Sequence, residues 1–111
     1  MAKISDCSYM EIKKIYSWSI VTSGRKAICA ITLTDITKYN NPKKITISLS
    51  NLYNLMELFK IDNMYQLIGK EARCLIHDKF KEITFISPLE FKEKKVESDF
   101  VRCNQVYMNE P

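Results

Sequence analysis

The spacing of apolar residues changes abruptly between residues 44 and 60, and this change limits the folds open to the chain. Every second residue from 45 to 49 is apolar, which is the period of a strand with one buried face. Ser50 then stands as a candidate helix N-cap. The apolar residues that follow recur at helical spacing: Leu52, Leu55, Met56 and Phe59. A strand running into a helix that ends near Lys60 predicts an α+β protein.

A β-hairpin is predicted upstream of this strand. A row of apolar residues shares one parity, as one face of a strand does: Met10, Ile12, Tyr16, Trp18 and Ile20. Lys14 interrupts the row and Ile15 has the opposite parity, so a bulge or bend is expected. Ser23-Gly24 is suited to a hairpin turn. A second β-type run, apolar on both faces, occupies residues 26–34 and is expected to be a central strand.

A helical alternative exists for the start of this hairpin. Residues 8–11 fit a capping box, and Tyr9, Ile12 and Tyr16 fit a helical stripe. The strand is preferred because residues 18–22 have strong β propensity.

Two more strands are predicted after the helix. Residues 72–77 and 82–87 alternate as strands do, with a turn between them. Before them, Asn63 is expected to cap a short helical segment over residues 64–67, which ends at Gly69. The resulting order is β-β-β-α-β-β with one main helix. It predicts a five-stranded antiparallel sheet or a small, partly open barrel, and the same order occurs in OB-folds.

The chain of 111 residues suits one domain spanning residues 1–111. Within it, residues 91–111 form a C-terminal segment of uncertain order, with residues 99–108 as a last strand or an arm. The N-terminus has no apolar signal segment, and no run approaches the about 20 apolar residues of a membrane helix. A cytoplasmic location in the host cell and no membrane partner are therefore expected.

The residue types needed for catalysis or cofactor binding are sparse. The single histidine, His77, lies three residues after Cys74, so in a strand the two side chains point to opposite faces. Because the chain shows no export signal, the four cysteines are predicted to be reduced thiols packed in the core. Residues 68–70 contain a glycine and a lysine but lack the frame of a phosphate loop. No enzyme activity, metal or cofactor is predicted.

The positive charge is concentrated in the first half of the chain. Residues 1–56 carry eight basic and three acidic residues, which favours a polyanionic partner, although an ordinary solvated lysine-rich face has the same composition. Aromatic and basic residues are interleaved around the first hairpin, as in proteins that stack single-stranded bases. Trp18 and Tyr16 equally suit a core position. The predicted partner-binding residues are Lys13, Lys14, Tyr16, Trp18, Arg25, Lys26, Lys43 and Lys44.

One part of the sequence resembles a known group of proteins. The resemblance covers residues 51–86 and rests on the helix Leu52-x-x-Leu55-Met56-x-x-Phe59, residues 61–70, Arg73, Leu75 and the run of residues 83–86. This pattern is similar to that of small phage and prophage accessory proteins, some of which inhibit CRISPR nucleases of the host. The resemblance implies a non-enzymatic inhibitor that occupies a protein or nucleic-acid-binding surface of a host defence complex.

The expected partner is thus a host protein or a ribonucleoprotein complex. The alternative is a single-stranded nucleic-acid-binding, OB-like protein. A homodimer is a further option, because apolar residues of the C-terminal segment and six tyrosines are available for an interface.

Overall fold

The computed structural model describes residues 2–89 and 97–106 and confirms the α+β class. The helix and strands are β1 (Tyr9–Ser23), β2 (Lys26–Thr34), β3 (Lys43–Ser48), α1 (Leu49–Phe59), β4 (Glu71–Ile76), β5 (Ile83–Pro88), β6 (Val101–Arg102) and β7 (Asn104–Val106). The prediction of five strands is wrong, because seven strands form the sheet. The two additional ones, β6 and β7, have only two and three residues, too few to produce a periodic pattern in the sequence.

All seven strands belong to one antiparallel sheet with the order β6-β5-β4-β1-β2-β3-β7. The long β1 links its two halves. Residues 9–14 pair with β4, and residues 14–23 pair with β2. The register shifts between Ile15 and Ser17, so Tyr16 is the extra residue of a β-bulge. The bulge that the sequence predicts is confirmed, and it bends β1 so that the sheet can curve.

The segment of residues 101–106 brings the two edges of the sheet together. β6 pairs with β5, and β7 pairs with β3. Only Cys103 separates the two strands, and its backbone N–H donates to the Thr84 carbonyl at 2.9 Å. The sheet is therefore a nearly closed barrel. Closure also protects the edges of β3 and β5, whose backbone groups would otherwise be open to pairing with another chain.

Helix α1 begins two residues earlier than the sequence suggests. Its N-cap is Ser48, whose Oγ accepts a hydrogen bond from the Asn51 backbone N–H at 3.2 Å. Ser50 lies inside the first turn. The predicted C-terminus is confirmed, because Lys60 adopts a left-handed conformation with φ of 58° and stops the helix. The predicted cap of the following 3₁₀ turn is also confirmed, since the Asn63 side chain accepts from the Tyr65 N–H.

Two apolar clusters lie on the two faces of the sheet. The interior cluster fills the barrel and includes the buried helix residues Leu52, Leu55 and Met56. A smaller cluster, here called the outer cluster, lies on the outer face of β4 and β5. It consists of Cys7, Leu75, Phe85 and Phe100 with Ile4 packed against it. Because α1 starts where β3 ends, the helix packs toward one end of the barrel. Among the described residues, no helix covers the opposite end, where β1 begins.

Candidate ligand-binding site at the open end of the barrel

A cavity of about 390 Å³ lies where β1, β3 and β5 begin and β4 ends. Antiparallel pairing brings these termini together, since Tyr9 of β1 faces Ile76 of β4. The polar and aromatic residues that line the cavity are Tyr9, Glu11, Lys13, Lys43, Lys81 and Gln105. Its volume falls within the roughly 300–1,000 Å³ common for small-ligand sites. We call this region the mouth.

Lys13 lies on the inner side of the mouth and is 4% exposed. An ammonium group is costly to bury unless it is paired. The Lys13 Nζ lies 3.4 Å from the Glu11 carboxylate and 3.5 Å from the Asp35 carboxylate. The Asn41 side chain donates to Asp35 at 3.1 Å and holds it in place. The ammonium group of Lys13 is therefore engaged in these two ion pairs, and the residue forms part of the wall of the cavity.

Lys43 and Lys81 contribute the exposed positive charge of the mouth. Neither forms an ion pair with another residue in the described part of the chain. The Lys81 Nζ lies 5.4 Å from the centre of the Tyr9 ring, a cation–π distance. Gln105 accepts a hydrogen bond from the Ile83 N–H through its Oε1 at 2.8 Å, so its amide NH₂ remains as a donor. The mouth thus offers positive charge, a donor and an aromatic ring.

The turn between β4 and β5 is held rigidly beside the mouth. The His77 Nδ1 accepts hydrogen bonds from the backbone N–H groups of Lys79 and Phe80. Asp78 accepts two bonds of 2.7 Å from Ser8, one from its N–H and one from its hydroxyl. The bond from the Ser8 backbone is the largest cause of the lowered pKa of Asp78. The His77 side chain is only 12% exposed, because it caps this turn.

The rigid turn presents a second aromatic residue to solvent. Phe80 is 60% exposed, and the Lys79 Nζ lies 5.4 Å from the centre of its ring. Tyr9 is 61% exposed. Two largely exposed aromatic side chains, each with a lysine ammonium group near its ring, therefore lie at the same end of the barrel.

The residues predicted to bind a partner are not brought together by the fold. Lys13 and Lys43 line the mouth. The neighbouring residues Lys14 and Lys44 have the opposite parity and lie on the outer face of the sheet. Arg25 belongs to the exposed turn between β1 and β2, and Lys26 begins β2 beside it.

The two predicted aromatic residues also lie apart from the mouth. Tyr16, at the bulge, is 51% exposed and contacts Tyr39 at 4.5 Å between ring centres. Trp18 is half-buried, packs against the interior cluster and contacts Tyr65 at 5.5 Å. Its indole N–H is buried and has no hydrogen-bond partner among the described residues. Trp18 therefore contributes to the core on the far side of the bulge.

Sequence reasoning missed Tyr9, Phe80, Lys81 and Gln105 as site residues. The tripeptide Lys79-Phe80-Lys81 carried a usable signal, because an aromatic residue between two lysines in a predicted turn is displayed to solvent. Gln105 carried none, since its place in the mouth depends on the closure of the barrel by β7.

The cysteines are all reduced and buried. Burial raises the pKa of Cys29 to about 11 and that of Cys74 to about 12, and it raises the pKa of Cys103 as well. These three groups are thiols at neutral pH, whereas nucleophilic or metal-binding cysteines need the thiolate. Within residues 2–89 and 97–106 there is no cluster of three His, Cys, Asp or Glu residues suited to a metal ion.

Comparisons with family models, with curated proteins and with solved structures gave no match to this chain. In the described ranges, no helix combines the length and the apolar character needed to cross a membrane.

Proposed function

We propose that this chain is a non-enzymatic binding protein with an OB-like barrel that holds a single-stranded nucleic acid at its mouth. The observation that carries the proposal is the pair of exposed rings, Tyr9 and Phe80, each with a lysine ammonium group 5.4 Å from its centre. Proteins that bind single strands stack bases on such rings and place cations beside the phosphates.

The position of the rings supports the same proposal. OB-folds bind oligonucleotides through the loops between their first and second strands and between their fourth and fifth strands. Phe80 and Lys81 lie in the connection between β4 and β5. Lys43 at the start of β3 adds further positive charge at this end. A strand that stacks on Tyr9 and Phe80 would place its phosphates near these ammonium groups.

Replacing either ring should weaken the binding of a labelled twelve-nucleotide single strand of DNA or RNA, followed by fluorescence anisotropy. Base stacking on an aromatic side chain contributes about 1–3 kcal/mol, so Tyr9→Ala and Phe80→Ala should each raise the Kd about tenfold or more. The affinity of the wild-type protein should fall as salt rises from about 50 to 200 mM, because phosphate contacts release counterions.

Tyr53→Ala is the matched control. Tyr53 is a 65% exposed tyrosine on α1, remote from the mouth, and its replacement should leave the Kd unchanged. An equal loss of affinity in Tyr53→Ala and Tyr9→Ala would rule out the proposed binding mode. A wild-type affinity that does not change with salt concentration would also rule it out.

A second candidate function is that of a phage or mobile-element protein that inhibits a host defence complex from within the host cytoplasm. The resemblance of residues 51–86 to small phage proteins motivates it. The observation in its favour is an apolar row on the outer face of β1, where Met10 and Ile12 are 39% and 40% exposed. Exposed apolar residues in a row are common at protein–protein contacts.

Ile12→Glu tests this second function in a cleavage assay with purified RNA-guided nuclease complexes of bacterial hosts. If the wild-type protein inhibits through the outer face of β1, a buried carboxylate at the contact should weaken inhibition at least tenfold. Ser19→Glu, an exposed change on the half of β1 that pairs with β2, should inhibit like the wild type. Full inhibition by Ile12→Glu, with circular dichroism unchanged, would exclude this surface.

A further inference from the structure

The mouth does not continue as a channel through the barrel. Below Lys13, the interior of the barrel is filled by Ile15, Leu33 and Cys74, all of which are 0% exposed. A polynucleotide that enters the cavity can therefore insert only an end.

The two exposed lysines at the rim of the cavity favour a doubly charged anion over a singly charged one. Lys13 together with Glu11 and Asp35 carries one net negative charge, so the positive charge available to a ligand comes from the ammonium groups of Lys43 and Lys81 at the rim. A terminal phosphate monoester carries about −1.5 to −2 charges at neutral pH, as a phosphorylated side chain does. Each internal phosphodiester carries only one negative charge. Two lysines on the rim match the monoester.

The remaining lining groups suit the rest of a nucleotide. The Tyr9 side chain, which is largely exposed, offers a ring against which a base can stack. Gln105, whose Oε1 is occupied by the Ile83 N–H, offers its amide NH₂ as a donor to a phosphate or carbonyl oxygen.

We infer that the mouth binds a phosphate-bearing nucleotide, with the monoester between Lys43 and Lys81 and the base against Tyr9. The inference rests on the proposed function where the nucleotide is the end of a strand, and a free mononucleotide would supply the same chemistry. It adds to that function a preference for a phosphorylated end.

Four probes distinguish these sources in anisotropy and calorimetry. They are a ten-nucleotide strand with a 5′-phosphate, the same strand with a 3′-phosphate, the same strand without a terminal phosphate, and adenosine 5′-monophosphate. One phosphorylated strand should bind at least about tenfold more tightly than the unphosphorylated strand at equal salt. Adenosine 5′-monophosphate should compete with it, while adenosine, added as a control that lacks the phosphate, should not.

Lys43→Gln and Lys44→Gln form a matched pair of variants. They remove the same charge from adjacent residues of β3, but Lys43 lines the cavity and Lys44 lies on the outer face. The ratio of the affinity for the phosphorylated strand to that for the unphosphorylated strand should fall to about 1 in Lys43→Gln. The same ratio should persist in Lys44→Gln. Equal reduction of the ratio in both variants would mean general attraction of charge and would overturn the inference.

The other outcomes separate the inference from the function on which it rests. If the phosphorylated and unphosphorylated strands bind with nearly equal affinity, the preference for a phosphorylated end is excluded and single-strand binding stands. If the mononucleotide binds in a Lys43-dependent way and no strand binds, the cavity chemistry is supported and single-strand binding fails. If no probe binds at millimolar concentration, both are overturned.

Discussion

Ending the chain at Leu89 is expected to abolish its cooperative unfolding transition. The truncation removes β6 and β7, which pair with β5 and β3 at the two edges of the sheet. It also removes Phe100, Val101 and Cys103, which are at most 8% exposed. Burial of a large apolar side chain stabilises a fold by about 1.5–3 kcal/mol and a hydrogen bond by about 1 kcal/mol. The combined loss of roughly 5–10 kcal/mol is comparable to the whole stability of a small domain.

Thermal unfolding followed by circular dichroism and by tryptophan fluorescence measures this effect. A second chain that ends at Val106 retains β7 and is the control, and it should unfold in a single transition close to that of the full chain. The shorter chain should show no sigmoidal transition and should associate, because the edges of β3 and β5 are then open to pairing. A shorter chain that melted cooperatively within a few degrees of the control would show that the barrel does not depend on its closing segment.

The sequence predicts those parts of this fold that are determined by local chemistry. The strand before the helix and the cap at Asn63 depend on a few neighbouring side chains, and the structure has both, although β3 ends at Ser48 and Leu49 already belongs to α1. The N-cap shows how this reasoning can miss by two residues. Ser48 and Ser50 both have a cap-forming hydroxyl, and the backbone of Ser48, with ψ of 156°, decides between them. That angle is set by the end of β3 and not by the identity of either serine.

The mouth could not be predicted in the same way, because it depends on contacts between distant parts of the chain. The alternation of β3 places Lys43 on the face of Ile45 and Lys44 on the other face, but it cannot show that β7 closes the barrel and brings Gln105 to the same cavity as Lys43. Lys13 appeared to be a free basic residue, but the fold buries it between Glu11 and Asp35. The interrupted alternation of apolar residues in β1 correctly predicted a bulge. It could not show that the side of β1 with Met10 and Ile12 faces outward.

Replacing Arg73 with alanine is expected to destabilise the protein by about 2–5 kcal/mol, the usual cost of truncating a large buried side chain to alanine. Arg73 is 0% exposed in the middle of β4. Its Nη2 donates to the Ser87 hydroxyl at 2.8 Å, and its guanidinium lies 4.7 Å from the centre of the Phe100 ring. Burial lowers the pKa of Arg73, while the charge of Asp99 acts in the opposite direction. Loss of this side chain would leave a cavity between the sheet and the outer cluster.

Chemical denaturation of three variants separates the effect of volume from that of charge. Arg73→Met keeps much of the volume without the charge, and it should cost less than half as much as Arg73→Ala, because hydrophobic residues of similar size often replace buried ions well. Arg102→Ala is the control of the same residue type. Arg102 is only half-buried, 4.9 Å from the centre of the Phe85 ring, so its loss should cost about 1 kcal/mol. Equal costs for Arg73→Met and Arg73→Ala would mean that the guanidinium contacts, and not the filled volume, hold the outer cluster against the barrel.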